Sequence, residues 1–340
     1  MTMTRLIIAQ ARNLTETALS AHEYTAAEAT IIADHLIDCE LRGVGYGGLA
    51  RALSVIERVA TSGRRGDGIS IVHESPVSAQ IDGGDEVGYL VATRVTDLAI
   101  EKARSSGIAV VGANKTWYTG MFSYYLEQVT AAGLVGCAAG SGGHIVAPYG
   151  SSEARFSTNP IAFGFPCDPD PIIWDIGTSA VMLAEVLLAH RLGQDLPEGL
   201  AYDKDGAPTT APIDFIEGGA LKVWGGHKGS GLGLVVQMLG MLAGAAAAPQ
   251  GLTDWGFLLV AIDPHALGVQ DLPLRIAEYA ASVRAARPLP GGDAVRMPFD
   301  RSANRRRAAL ADGHIEIEDQ VHTQLAAARH GHDISNPQTT

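Results

Sequence analysis

The chain has 340 residues, of which 46% are apolar and 18% charged, and its formal net charge is −12. That length can bury one large core or two modest ones, and the composition is that of a globular protein, not a disordered or fibrous one. An acidic surplus argues against a nucleic-acid partner, which needs clustered Lys and Arg.

In chain order, residues 4–60 read as helices, with Ser20 and Thr25 placed to cap N-termini. Ile31, Ile32, His35, Leu36 and Leu41 recur there at roughly helical spacing. Residues 63–68 are turn-rich. Residues 70–79 and Ile81 resemble short strands, 87–106 a helix with apolar residues at three- and four-residue intervals, and 107–112 a strand. A turn then leads into a helix carrying Phe122, Tyr125, Leu126 and Val129. From 134 to 175 short β-rich runs alternate with Gly and Pro, the pattern of a sheet with tight turns.

Residues 181–191 read as helix, 199–212 as a polar excursion, 228–248 as a buried helix opened by glycines, and 257–262 as a core strand. The apolar stretch 232–248 is interrupted by Gln237 and three glycines and is too short for a membrane span. Residues 272–286 are helical, and a Pro- and Gly-rich linker at 288–292 leads to a last helix near Ala303. The polar tail 329–340 reads as flexible, and His330 and His332 belong to it rather than to a metal site. Residues 1–10 lack the pattern of a secretory leader. Cys39, Cys137 and Cys167 are too few and too scattered for a disulfide framework or a thiolate metal site, so no metal and a reducing cytoplasm are expected.

Gly43, Gly45 and Gly48 spell G-x-G-x-x-G, the pattern that cradles a pyrophosphate between a strand and a helix. Here a helix precedes it, no β-branched strand leads in, and no acidic residue closes a second strand some 20 positions later. The match is read as accidental.

The same segment, Leu41-Arg42-Gly43 with Arg51 downstream, resembles the active-site turn of the type-2 malate/L-lactate dehydrogenase family. Further matches follow in order: Gly107-Ile108-Ala109-Val110-Val111-Gly112, Pro148-Tyr149-Gly150, Ser157-Thr158-Asn159-Pro160, Asp175-Ile176-Gly177-Thr178-Ser179, Gly226-His227-Lys228-Gly229 and Ala261-Ile262-Asp263-Pro264. The resemblance covers roughly residues 5–320. It implies a mixed α/β fold, not a Rossmann one, with a helical domain from residues 1–75 and 263–328. Residues 76–262 would form a cofactor domain on a mostly antiparallel sheet. It also implies a homodimer or higher homo-oligomer.

Two departures stand out against that family. Tyr46-Gly47-Gly48 occupies the place of Ser-His-Gly, and Tyr118, in Trp117-Tyr118-Thr119-Gly120, occupies the place of a second histidine. By resemblance Asp175, Ile176, Gly177, Lys228 and Gly229 line a nicotinamide cofactor. Lys228 among glycines suits a phosphate, since a point charge is joined there by accessible backbone N–H groups. Thr158 and Asn159 are placed near the nicotinamide, or else form a side-chain-to-backbone turn before Pro160. Arg51 is the candidate clamp for a substrate carboxylate, with Thr119 beside the substrate. Arg42 reads as a partner of Asp38 or Asp34. Arg301 or Arg305, in a run of four arginines from 301 to 307, could meet a cofactor phosphate or simply face solvent.

A missing acid would cost ketone reduction roughly 10²- to 10⁴-fold in rate, whereas a protonated imine needs no donor. Tyr46 and Tyr118 are alternative donors, though an ordinary phenol titrates near pKa ~10. His144 is a third candidate, with a structural hydrogen-bonded role as its alternative. The expected activity is NADH- or NADPH-dependent reduction of a small carboxylate-bearing substrate, with an imino acid favoured over a 2-keto acid. The alternatives are a cofactor-independent cyclisation or elimination, and a non-catalytic scaffold.

Overall fold

A computed structural model of the chain describes residues 2–64 and 68–331; the centre of the 63–68 break and most of the tail, including His332, lie outside the described residues. The chain begins with β1 (Met3–Ile7), α1 (Ile8–Ser20), α2 (Ala26–Leu41), a 3-10 turn at Gly45–Gly47 and α3 (Ala50–Ser62). There follow β2 (Ser70–Glu74), β3 (Ser78–Val87), α4 (Gly88–Ser106), β4 (Ile108–Trp117) and α5 (Phe122–Ala131). Next come β5 (Val135–Ser141), β6 (Val146–Ala147), β7 (Ile161–Phe165), β8 (Ile172–Ile176) and α6 (Leu183–Arg191). Then β9 (Ala201–Tyr202), β10 (Pro208–Thr209), α7 (Pro212–Ile216), β11 (Ala220–Lys222) and α8 (Gly226–Leu242) are reached. The last elements are β12 (Trp255–Ile262), α9 (Leu272–Arg284), α10 (Asp300–Asp312), β13 (His314–Glu318) and α11 (Asp319–Ala328).

A seven-stranded sheet in the order β2-β3-β4-β12-β5-β7-β8 carries the fold. Among the described residues β3 and β4 are its one parallel pair, so it is the mixed, mostly antiparallel, non-Rossmann sheet that the resemblance implied. β12 lies at the centre, antiparallel to both β4 and β5. Its buried run of Phe257, Leu258 and Leu259 is apolar on both faces because α4 and α5 cover one side and α8 the other. A second core gathers α1, α2, α3 and α11 with Trp117 and Tyr118. The polar excursion at 199–212 belongs to a small four-stranded sheet, β10-β9-β11-β6.

Thr25 caps α2 with a full capping box, its side chain accepting the Glu28 N–H while Glu28 reaches back. Ser20, by contrast, is the last residue of α1, not a cap. The helix expected from residue 4 begins at Ile8, because β1 pairs antiparallel with β13 more than 300 residues downstream. α8 was expected to be buried. It buries Val236 and Gln237 but presents Leu234, Val235, Met238 and Leu242 to solvent in the single chain.

The glycine run has a packing explanation. Gly43 has φ +71°, and a Cβ there would sit 2.7 Å from the Arg305 guanidinium. At Gly48 a Cβ would come within 2.1 Å of Glu40 Oε1. The Glu40 carboxyl fills that space and accepts the Leu49 N–H at 2.7 Å, satisfying a donor ahead of α3. Burial without a cation pushes Glu40 from an ordinary 4.5 up to about 8. Between those values the folded chain holds a proton that the unfolded chain has released, so stability falls as pH rises across the window. Glu40→Gln should flatten that part of the stability profile and gain stability relative to the parent at pH 8.5. Thermal melts of the two chains from pH 5 to 8.5 with parallel slopes would refute this.

Candidate functional site

A cleft of about 370 Å³ opens where the glycine run and α3, the turn between β4 and α5, the end of β5, and the β8–α6 connection meet. It gathers Tyr46, Gly47, Arg51, Tyr118, Thr119, Thr158, Asp175 and Gly177, residues spread across more than a hundred positions of sequence.

Arg51 projects from α3, is 6% exposed, and holds its guanidinium 3.8 Å above the Tyr118 ring. It donates to Ser54 Oγ at 3.4 Å and also contacts the Tyr118 and Tyr89 hydroxyls, and it joins no carboxylate among the described residues. A buried guanidinium without an anion is costly, and the surrounding rings and hydroxyls offset part of that cost. Tyr118 serves it from a left-handed backbone, φ +54°. Such a conformation costs a bulky residue on the order of 1–3 kcal/mol and persists only where neighbours impose it. Edge contacts to Trp117 and Trp255, at 5.4 and 5.8 Å between ring centres, do so here.

The turn itself is held from behind by His35. Its Nε2 accepts the Met121 N–H at 2.9 Å, and its ring is wedged among Tyr89, Tyr124 and Tyr125. Burial pushes its pKa down to about 3, so it is neutral and serves as an acceptor. Gly120, φ +75°, leaves the room, since a Cβ would lie 2.4 Å from His35 Nε2. Among the described residues no histidine lines the cleft.

Three candidate acids face the cavity: Tyr46, Tyr118, whose ring lies under Arg51, and Asp175. Tyr46 is weak: burial, helped by Glu185 and Asp175, pushes its phenol up to about 12. Asp175, near the end of β8, accepts the Ser123 N–H at 2.7 Å. Desolvation pushes its carboxyl up to about 6, against the opposing effect of hydrogen bonds from Ser123 and Phe122. Its pKa thus lies close to physiological pH. The cleft also holds the Ser141 hydroxyl, buried and without a hydrogen-bond partner among the described residues, and pressed against Gly240 of α8. An unpartnered hydroxyl beside apolar walls suits a flat heteroaromatic ring bearing a carboxamide, which a nicotinamide is.

Other sequence candidates lie elsewhere. Asn159 is fully buried with φ +38°, and its amide donates to Gly233 O and Gln237 Oε1, pinning α8 to the sheet. Ile176 packs toward Val236 of the same helix. Lys228 is exposed and Gly229 buried in the first turn of α8, and neither lines the cleft. His144 Nε2 lies 3.4 Å from Ala247 O, outside the cleft lining. Arg301 is exposed. The rest of the arginine run is structural: Arg305 covers Gly43, Arg306 approaches Asp38 and Glu127, and Arg307 pairs with Asp170. Arg42 pairs with Asp38 at 2.5 Å, one of the two partners expected, and also with Glu127.

Sequence reasoning did not single out Tyr89, Ser141, Leu183, Trp255 or the supporting His35. Only the small-residue run Gly140-Ser141-Gly142-Gly143 hinted at a close approach; the others read as ordinary core residues.

A family model described as malate/L-lactate dehydrogenase matches residues 7–326. The chain is 30% identical to the L-sulfolactate dehydrogenase of Methanothermobacter thermautotrophicus, over 93% of this chain and 94% of that one. It is also 30% identical to a Delta(1)-pyrroline-2-carboxylate/Delta(1)-piperideine-2-carboxylate reductase of Pseudomonas putida, over 94% and 96%. A crystal structure of a dehydrogenase from Sinorhizobium meliloti superposes with a TM-score of 0.88 at 30% identity, covering 96% and 98% of the two chains. The sheet, the cleft and these likenesses agree: the chain belongs to the malate/L-lactate dehydrogenase family of nicotinamide-dependent oxidoreductases.

Proposed function

We propose that the chain reduces the C=N bond of a small 2-imino carboxylate, with NADH or NADPH as its cofactor. The observation that carries this reading is that a buried Arg51 and the carboxyl of Asp175 are the two charged side chains lining the cleft among the described residues, with no histidine beside them. A protonated imino acid is a zwitterion. Its carboxylate meets the Arg51 guanidinium in a bidentate arrangement, and its iminium is stabilised by ionised Asp175. The same carboxylate opposes the alkoxide that develops when a ketone is reduced, so the electrostatics favour C=N over C=O.

When bound, the cofactor supplies the hydride. Ser141 and Thr158 would hold its nicotinamide end, and Lys228 with the first turn of α8 would offer positive charge to its phosphates. Tyr118 orients Arg51 from below, and Trp255 and Leu183 exclude water from that end of the cleft. The exposed apolar residues of α8 suit the homo-oligomer expected from sequence.

A second reading, reduction of a 2-keto acid, is favoured by the raised pKa of Asp175, which when protonated can donate to the carbonyl oxygen.

Fluorescence titration with NADH and NADPH tests the cofactor directly, and binding of at least one is expected. If neither binds, the hydride source is gone and the non-redox readings take its place. The pH profile separates the two substrates. C=N reduction should rise as pH increases through about 6, because ionised Asp175 stabilises the iminium; ketone reduction should fall over the same range, because it needs the protonated acid. Asp175→Asn should erase the inflection, and its survival in that variant would remove Asp175 from the chemistry. Gly47 offers a complementary test, since a Cβ there meets Cys39 Sγ and Val44 Cγ1 at 3.5 Å, an ordinary contact. Gly47→His should raise 2-keto acid reduction by about tenfold or more with little gain on imines, the added imidazole supplying the missing acid. Equal change on both substrates would contradict this.

A further inference from the structure

Besides Arg51 and Asp175, no charged side chain lines the cleft among the described residues. The Arg51 end is walled by Tyr118, Trp255 and Leu183, which pack with one continuous apolar cluster, and Tyr89 and Met182 complete the enclosure. From this we infer that the cleft selects a monoanionic substrate with a bulky apolar or ring-closed side chain and rejects substrates bearing a second acidic group. The inference rests on the carboxylate reading of Arg51 proposed above and deepens it.

The argument is one of charge accounting. One carboxylate satisfies Arg51. A second carboxylate or sulfonate would have to leave water for a wall of aromatic and aliphatic groups, with Asp175 repelling it once ionised. Two buried cations behind the cleft are already engaged: Arg58 pairs with Asp85 at 2.5 Å, and Arg42 pairs with Asp38 and Glu127. An apolar side chain or a closed ring, in contrast, gains by covering Trp255 and Leu183. Leu183 is a natural point of control. It is the first residue of α6, partly exposed, and it lines the cleft.

Calorimetric titration of the whole chain at fixed ionic strength reads this without turnover. The probes are benzoate and cyclohexanecarboxylate on one side and succinate and malonate on the other. The monocarboxylates should bind at least about tenfold more tightly, and Arg51→Ala should abolish binding of both sets. Leu183→Arg, which adds a cation to the wall, should narrow the gap in favour of the dicarboxylates. In parallel, reduction of 4-methyl-2-oxopentanoate, phenylpyruvate and a cyclic 2-imino acid should exceed that of oxaloacetate with whichever cofactor binds. Equal or tighter dicarboxylate binding by the parent chain overturns the inference, and so does absence of binding by either set. Monocarboxylate selectivity without hydride transfer to any acceptor leaves the inference standing and removes the redox reading instead.

Discussion

A guanidinium held out of water at the wall of a cleft, with an aromatic ring beneath it and no anion of its own, dictates much of what surrounds it. Arg51 keeps its position because α3 is packed into the helical core and because the Tyr118 ring lies 3.8 Å from its charged carbon. The ring reaches that place only from a left-handed backbone, which β4 and α5 enforce from either side of the turn.

The supports behind the cleft follow one physical theme: polar groups buried where an apolar residue would pack more easily, each matched by a glycine that makes room. Glu40 fills the space over Gly48 and accepts the Leu49 N–H, and His35 fills the space over Gly120 and accepts the Met121 N–H. Each fixes the entrance to a turn that carries cleft residues, one bearing Tyr46 and Gly47, the other Tyr118 and Thr119. Ser141 against Gly240 repeats the pairing at the sheet, but its buried hydroxyl has no hydrogen-bond partner among the described residues. Gly43 and Gly48 are therefore better explained by what lies across from them than by phosphate recognition.

Of the groups facing the cavity, Asp175 changes most when seen in three dimensions. In sequence it is one residue of a cofactor-lining motif. In the fold it shares a wall with Arg51 and lacks a cation of its own, and desolvation moves its titration to about 6. The two opposite charges in an otherwise uncharged cleft are what the proposed zwitterionic substrate would meet.

The family, the mixed sheet and the helices were legible in the sequence because they rest on local information: motif order, three- and four-residue apolar spacing, and the Thr25 capping box. So was the place of Arg51 at the cleft, since it follows a turn quoted for the resemblance. What stayed hidden depends on contacts between distant residues. β1 has no local strand pattern strong enough to declare itself and exists because β13 pairs with it. The distance of His144 from the cleft, the inward turn of Asn159 toward α8 and the structural use of Arg305, Arg306 and Arg307 are equally invisible along the chain. By itself, then, the sequence determined the architecture and some of the residues that reach the cleft. Only tertiary packing decided which of them face it, which are neutralised elsewhere, and what protonation each keeps, because burial and charge pairing are properties of neighbours in space.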